Sequence, residues 1–254
     1  PSVGFQIMLE TDLLKEVLPE LIECVGVDQP GGFHKYDVFE HTLYTIDECH
    51  PRLRLRLAAL FHDITKPQHK RIVEDGATFH GHETTGARTA ATVMKRLHYS
   101  NDLIDQVTTL VERHMFTTDV TDKGLRRLLR RVGDELIFDL LDLRRADVIA
   151  QGMGGATEDV DQFEQQIREE LEREPPLTVS DLAINGHGVM QQFDLQPGPT
   201  VGRIMNYLLE RVLDDPRNNT VQTLRALARS YYDEKIASKK ENETSDTDNM
   251  ESVP

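Results

Sequence analysis

One short apolar segment, followed by a His-Asp pair, organises the rest of this chain. It reads Leu53-Arg54-Leu55-Arg56-Leu57-Ala58-Ala59-Leu60-Phe61-His62-Asp63-Ile64-Thr65-Lys66. The apolar residues predict a helix buried in a core, and two strongly polar side chains close it. Buried polar groups need partners, and a metal ion satisfies an imidazole and a carboxylate together. We therefore interpret His62-Asp63 as part of a metal site.

Four further imidazole and carboxylate side chains complete a candidate ligand set. They are His41, His82, His114 and Asp147. Each falls on a different predicted helix, and helical bundles build metal centres from ligands that converge from several helices. Asp147 continues the apolar stripe of its helix, which indicates a buried carboxylate.

The chemistry of this set predicts the metal and the reaction. Imidazole with carboxylate favours manganese, cobalt, nickel or zinc over magnesium, and a carboxylate can bridge two ions. We expect one or two divalent ions, without a choice among these metals. A metal held in this way lowers the pKa of bound water and polarises a phosphoryl oxygen, which suits phosphoester hydrolysis.

Helical periodicity dominates the sequence and predicts a mainly α fold. Apolar residues from Leu13 to Ile22 predict an amphipathic first helix that ends near Gly26, and a second helix carries His41. Short runs on both sides of Asp75-Gly76 predict a small β-hairpin. Later helices are predicted at about residues 82–98, 101–114, 122–132, 134–150, 158–174, 201–214 and 219–236.

The predicted architecture is a helical bundle with a small hairpin, followed by a smaller helical unit. Pro175-Pro176 ends the helix that separates the two. We predict a helical lead-in over residues 1–33, the bundle over 34–155, the second unit over 156–236 and a disordered acidic tail over 237–254.

Composition limits the function classes. The net charge of −15 over 254 residues argues against wide non-specific nucleic-acid binding. Apolar runs are too short for a membrane span, and the presence of only two cysteines predicts a reducing cytoplasm.

One dense basic cluster stands out, and it is either a solvated helix face or a phosphate contact. It consists of Arg126, Arg127, Arg130 and Arg131.

The ligand set resembles the HD superfamily of metal-dependent phosphohydrolases over residues 34–150. The residues that carry this resemblance are His41, His62, Asp63 and Asp147. In addition, His82 and His114 match the version of the family that binds two metals. Lys66 matches a lysine that faces the substrate phosphate in relatives, and its alternative is a solvated loop lysine. The resemblance implies His62, Asp63 and Lys66 as catalytic residues.

A narrower resemblance covers most of the chain. Residues 13–21, 34–43, 181–186 and 197–204 are similar to the carboxy-terminal half of bacterial CCA-adding tRNA nucleotidyltransferases. In that family the later region belongs to the body and tail that hold tRNA. Some members also carry an HD domain with phosphatase and 2′,3′-cyclic phosphodiesterase activity. The resemblance implies that the arginine cluster faces RNA.

The nucleotide-adding head of that family has no counterpart here. It needs a Gly-rich strand-turn followed about ten residues later by an Asp-x-Asp pair. Only three residues separate Gly154-Gly155 from Asp159-Val160-Asp161. We therefore expect no nucleotidyl transfer from this chain.

The sequence thus predicts a metal-dependent phosphohydrolase unit of a tRNA nucleotidyltransferase-like protein. Its expected substrate is a terminal or cyclic phosphate on RNA, or a nucleotide, and tRNA is an expected partner. Two alternatives stay open at this point. One is a non-catalytic RNA-binding body with a structural metal site, and the other is a stand-alone nucleotide phosphohydrolase. The sequence does not determine the oligomeric state.

Overall fold

The computed structural model describes residues 1–32 and 34–237, and these residues are mostly helical. The predicted mainly α fold with a small hairpin is confirmed. Two compact units are present. The first comprises residues 1–119 and 132–169, and the second comprises residues 120–131 and those from 170 onward. Among the described helices, none is long and apolar enough to cross a membrane.

Fourteen α-helices and one hairpin make up the described residues, together with short 3-10 and π-helical turns. The helices are α1 (Ser2–Glu10), α2 (Leu13–Val17), α3 (Pro19–Ile22), α4 (Val38–Glu48), α5 (Leu53–Phe61), α6 (Lys66–His69), α7 (His82–Arg96), α8 (Asn101–Arg113), α9 (Asp122–Val132), α10 (Ile137–Ala150), α11 (Glu158–Glu172), α12 (Gly186–Phe193), α13 (Pro199–Asp214) and α14 (Val221–Tyr232). The strands are β1 (Arg71–Val73) and β2 (Gly76–Thr78).

Helix α5 is central to the first unit. Leu55, Ala58 and Ala59 are fully buried, and the helix packs against α4, α7, α8 and α10. Burial of most of its side chains is typical of a helix in such a core position. Its Arg54 forms an ion pair with the buried carboxylate of Asp139 on α10. The His-Asp pair therefore follows a helix that is enclosed by the rest of the bundle.

The hairpin is held against the loop that contains Pro30. Strands β1 and β2 pair antiparallel, with Val73 opposite Gly76. Gly76 has φ of 143°, and the Pro30 carbonyl oxygen lies 2.6 Å from where a Cβ atom would stand. Only glycine fits this position. The Ala77 amide also donates a hydrogen bond of 3.2 Å to the Pro30 oxygen, which fixes the hairpin there.

The predicted first helix is interrupted at Pro19, so the prediction of one continuous helix is wrong. Helix α2 ends at Val17, and Leu18 has φ of −142° and ψ of 65°. A proline ring disfavours the helical conformation in the residue before it. The apolar spacing persists across this break, because Leu14, Leu18 and Leu21 are all buried.

Helix α13 forms the centre of the second unit. Ile204, Leu208 and Val212 on this helix are fully buried, and α12 and α14 pack against it. Side-chain caps begin the two neighbouring helices. Asn185 accepts a hydrogen bond from the Gly188 amide at the start of α12, and Thr220 caps α14 in the same way.

The compact units and the predicted domains divide the chain differently. Residues 1–32 belong to the first unit, whereas residues 120–131 belong to the second. The predicted domain boundaries describe functional regions and stay predictions. The predicted disordered tail, residues 237–254, lies outside the described residues except for Ala237.

Candidate metal centre

Six side chains predicted as metal ligands come together inside the first unit. They are supplied by α4, the end of α5, the start of α7, the end of α8, and α10. All of them are buried, and even the most accessible is only 7% exposed. The six are His41, His62, Asp63, His82, His114 and Asp147.

The first ligand group consists of His41, His62 and Asp147. Nε2 of His41 lies 3.0 Å from Oδ1 of Asp147, and Nε2 of His62 lies 3.9 Å from the same oxygen. One ligand atom from each residue lies within 4.8 Å of the other two. Since metal–nitrogen and metal–oxygen bonds are about 2.0–2.2 Å long, one ion can contact all three.

The second ligand group consists of Asp63, His82 and His114, with the same 4.8 Å limit on the separation of its ligand atoms. The Nε2 atoms of His82 and His114 face each other at 3.2 Å. Oδ1 of Asp63 lies 3.2 Å from Nε2 of His82 and 3.9 Å from Nε2 of His114. This arrangement also suits a single ion.

Asp63 connects the two groups because its carboxylate oxygens face different sides. Oδ1 faces the second group, whereas Oδ2 lies 3.1 Å from Nε2 of His62 and 3.6 Å from Nε2 of His41. A carboxylate with this placement can bridge two metal ions. The carboxylate of Asp63 therefore lies between the two groups.

Backbone carbonyls orient three of the four histidines. Nδ1 of His62 lies 2.7 Å from the carbonyl oxygen of Ala59, three residues earlier in the chain. The same bond joins His114 to Val111, and His82 to Phe79. Because Nδ1 carries the proton in these bonds, Nε2 presents its lone pair to the site.

Five buried ligand atoms have no hydrogen-bond partner among the described residues. These are Nδ1 and Nε2 of His41, Nε2 of His62, and both carboxylate oxygens of Asp63. Their neighbours within the site lie at ion-pair distances but lack hydrogen-bond alignment. A divalent transition metal would satisfy Nε2 of His41, Nε2 of His62 and the oxygens of Asp63, so the donor set fits such an ion.

The ionisation of Asp63 and the neutral state of His114 also fit metal binding. Burial acts to raise the pKa of Asp63, but His62 and Lys66 hold it well below its usual value. Burial opposes protonation of His62, yet the carboxylates of Asp63 and Asp147 raise its pKa. Burial lowers the pKa of His114 to about 3, and the charge of His62 contributes. His114 is thus neutral at pH 7, as an imidazole ligand must be.

A cavity of about 670 Å³ borders the ligands. Lys66 lines it and is only 8% exposed, so the alternative of a solvated loop lysine does not apply. Nζ of Lys66 lies 2.7 Å from Oδ2 of Asp63 and donates a hydrogen bond of 2.8 Å to Oε1 of Gln29. The ligands that also line the cavity are Asp63, His82, His114 and Asp147.

Several polar residues of this cavity were not predicted from the sequence, among them Gln29, His34 and Arg144. The His34 ring packs edge-on against the His41 ring at 4.7 Å, and burial lowers the pKa of His34 to about 4. Arg144 precedes Asp147 by one helical turn, and that spacing is a signal that could have found it. No comparable signal marks Gln29, because a loop places it.

The arginines predicted to face RNA lie on α9, and one of them is buried. Arg126 is 7% exposed and pairs with Glu170 at 2.9 Å. Its Nε also donates a hydrogen bond to the Leu213 carbonyl at 2.8 Å. A guanidinium held in this way is a structural element of the second unit. For Arg126 the prediction of an RNA contact is therefore corrected.

The other three arginines of the cluster are more accessible. Arg127 and Arg130 pair with the same carboxylate, Glu210, at 2.8 and 2.5 Å. Arg131 is exposed and forms no ion pair within the described residues. Contact between these three and RNA stays a prediction, and Arg131 is its most available member.

A helical chain with a buried His-Asp cluster and a separate helical unit matches one family of RNA-processing enzymes. Residues 82–228 match the family model described as putative tRNA nucleotidyltransferase domain 2. That match covers more than half of the chain. The chain therefore belongs to the tRNA nucleotidyltransferase family.

Individual relatives agree with this assignment. The chain is 35% identical to the CC-adding tRNA nucleotidyltransferase of Thermus thermophilus, over 82% of the chain and 48% of the relative. It is 34% identical to the A-adding tRNA nucleotidyltransferase of Deinococcus radiodurans, over 87% of the chain and 52% of the relative. A Multifunctional CCA protein of Janthinobacterium sp. is 32% identical over 45% of the chain and 28% of its own length. The chain spans about half the length of the first two.

Proposed function

We propose that the first unit is an HD-type metal-dependent phosphohydrolase within a tRNA nucleotidyltransferase-like protein. Its activity would be that of a phosphatase or a 2′,3′-cyclic phosphodiesterase. The observation that carries this proposal is the position of Asp63 between two ligand groups, at the wall of a cavity large enough for a substrate. A purely structural metal site is closed by its protein ligands and needs no such cavity.

The residues of the site have separate tasks in this reaction. A bound transition metal would polarise the phosphoester and lower the pKa of water. Asp63 and Asp147 are ionised and would supply the negative charge that holds cations, while the neutral imidazole of His114 would supply a nitrogen ligand. Lys66 donates to a phosphoryl oxygen that enters the cavity. Hydrolysis transfers the water oxygen to phosphorus, breaks one P–O ester bond and gives the leaving oxygen a proton.

The proposed substrate is a terminal or cyclic phosphate on RNA, or a nucleotide phosphate. Two relatives are named for adding CC or A to tRNA, which supports tRNA as the partner of this chain. The second unit would hold that tRNA, with Arg131 as an exposed candidate contact. Nickel, manganese, cobalt or zinc would serve better than magnesium, because magnesium prefers oxygen ligands.

A second candidate function is a non-catalytic tRNA-binding body with a structural metal site. One observation favours it. The family match begins at residue 82, so it includes His82, His114 and Asp147 but omits the ligands on α4 and at the end of α5. The matched region alone therefore does not contain a complete ligand group.

Hydrolysis assays with defined metals separate the two functions. The purified chain is treated with a chelator and assayed against 2′,3′-cyclic AMP and p-nitrophenyl phosphate with Ni²⁺, Mn²⁺, Co²⁺, Zn²⁺ or Mg²⁺. We expect the chelator to remove activity and a transition metal to restore more of it than Mg²⁺ does. Stoichiometric metal binding without hydrolysis of either ester would favour the second function.

A further inference from the structure

Arg144 lines the cavity and leaves most of its hydrogen-bonding capacity unused. Its Nη1 lies 3.2 Å from Oδ2 of Asp147, and its side chain is 30% exposed. Within the described residues this is its only ion pair, and its Nε and Nη2 groups have no acceptor. A guanidinium carries five N–H donors in a planar fork, so several of them remain available to a molecule in the cavity.

The adjacent residue, Arg145, shows what a structural arginine looks like on this helix. It pairs with Asp161 at 2.7 Å and Glu164 at 2.6 Å, and it also contacts Asp142. These partners join α10 to α11 in the first unit. Among the described residues Arg144 pairs with Asp147 alone, so most of its donors remain available to a molecule in the cavity.

Two cations line the cavity, one beside each carboxylate ligand. Lys66 pairs with Asp63, and Arg144 pairs with Asp147. A phosphomonoester carries close to two negative charges at pH 7, because its second pKa is about 6. A cyclic phosphodiester carries one. The arginine fork also matches two phosphate oxygens at once, which an ammonium group does not.

We propose that Arg144 binds the substrate phosphate and gives the site a preference for phosphomonoester dianions over cyclic phosphodiesters. This inference rests on the proposed function and identifies one substrate class within it. The apolar part of the cavity wall, which includes Ala77, Phe79 and Met115, would face the organic group of the ester.

Kinetics of Arg144→Ala on two substrates test this proposal. For p-nitrophenyl phosphate we expect kcat/KM to fall about tenfold or more, because a charge-assisted contact is lost. For 2′,3′-cyclic AMP the fall should be several times smaller. Arg144→Lys should recover part of the loss, since it keeps the charge without the fork. Arg88→Ala, which removes an exposed arginine on α7, is the matched control and should change neither substrate.

Metal content distinguishes this role from mere orientation of Asp147. Arg144→Ala should bind Ni²⁺ or Mn²⁺ as the wild type does. If it loses metal and both substrates lose kcat/KM equally, Arg144 only positions Asp147 and the proposal is overturned.

If the wild type hydrolyses neither ester, the proposed function fails, and calorimetric titration with inorganic phosphate decides the question for Arg144. Affinity about tenfold weaker in Arg144→Ala would support phosphate binding, and equal affinity would overturn it.

Discussion

Asp63 directs one carboxylate oxygen towards each ligand group, so its replacement has the clearest expected effect. Asp63→Ala removes both carboxylate oxygens. The first group then keeps its three candidate ligands, and the second keeps only its two histidines. We expect hydrolysis to fall about a hundredfold or more, because even weaker perturbations of metal sites cost tenfold to a hundredfold. Metal analysis should show reduced occupancy, and circular dichroism should show helical content close to that of the wild type.

Asp139 offers a matched control at the scale of single residues. Its carboxylate is also almost fully buried in the first unit, but it pairs with Arg52 and Arg54 instead of facing the ligands. Asp139→Asn should lower the free energy of unfolding and leave metal content unchanged. Survival of more than a few per cent of activity in Asp63→Ala would mean that the site is misassigned.

Individual ligands could be predicted from the sequence because their residue types are distinctive. Asp63 follows an apolar helix, and Asp147 continues an apolar stripe, so both were recognisable as buried carboxylates. Gln29 and His34 could not be found in this way. The loop before α4 brings Gln29 to Lys66 and His34 to His41, and no local sequence pattern predicts these contacts.

Helix α5 carries a direct test of the packing that places the site. Leu55 is fully buried on this helix, whereas Leu53 is 59% exposed. Leu55→Ala should lower the free energy of unfolding by about 2–5 kcal/mol, because it removes buried methyl groups and leaves a cavity. Leu53→Ala should change it by about 0.5 kcal/mol or less. Urea unfolding followed by circular dichroism measures both, and equal effects would contradict the central position of α5.

The contact between α9 and α13 makes part of the stability of the second unit depend on pH. Burial acts to raise the pKa of Glu210, but Arg127 and Arg130 lower it below its usual value. A carboxyl with a lowered pKa in the folded state stabilises the protein above its unfolded pKa of about 4.3. That stabilisation is lost as the pH falls through the folded pKa.

Glu210→Gln should therefore destabilise the protein at neutral pH and have little effect in acid. Because Glu210 is 38% exposed, we expect a difference of less than about 1 kcal/mol at pH 7. Unfolding curves over a series from neutral to acidic pH measure it. If the difference in unfolding free energy between the variant and the wild type stays constant over the series, these ion pairs do not contribute to the pH dependence of stability.

Helix positions followed from the sequence where periodicity and capping residues agree. Helix α8 begins after the Ser100 cap, and α9 occupies the predicted residues 122–132. Periodicity alone was misleading near Pro19, because the spacing of apolar side chains continues where the helical backbone is interrupted. Helix α1 falls within the predicted helical lead-in, but its own bounds were not predicted, and none of its residues is buried.

At the scale of the whole molecule, the chain should add no nucleotides to tRNA. Asp159 and Asp161 lie on helix α11, where residues two apart point to opposite sides. On a strand the same pair would face one side and could bind magnesium together. Incubation with tRNA, CTP, ATP and Mg²⁺ should give no extension on a denaturing gel. Extended tRNA would overturn the assignment of these residues.

The site forms only when the helices of the bundle pack together, so part of its geometry could not be predicted from the sequence. Its candidate ligands span residues 41 to 147 and lie close together in the structure, while their binding of a metal stays a prediction. Which oxygen of Asp63 faces which group follows only from the packed helices. The helical spacing of Arg144 and Asp147 predicts that they are neighbours, but only the packed helices show that Arg144 lines the cavity. Distances of this kind are set by tertiary contacts that no local pattern encodes.

The bonds from Nδ1 to backbone carbonyls have a consequence for how the protein takes up an ion. Ala59 and Val111 lie in the last turns of α5 and α8, where carbonyls lack partners within the helix. The helix ends therefore choose the tautomer of His62 and His114 as soon as they form. Little side-chain entropy remains to be lost when an ion arrives, so the centre is preorganised. Among the described residues no carbonyl holds His41 in this way, so its ring would be the freest of the four to adjust to the radius of a particular ion.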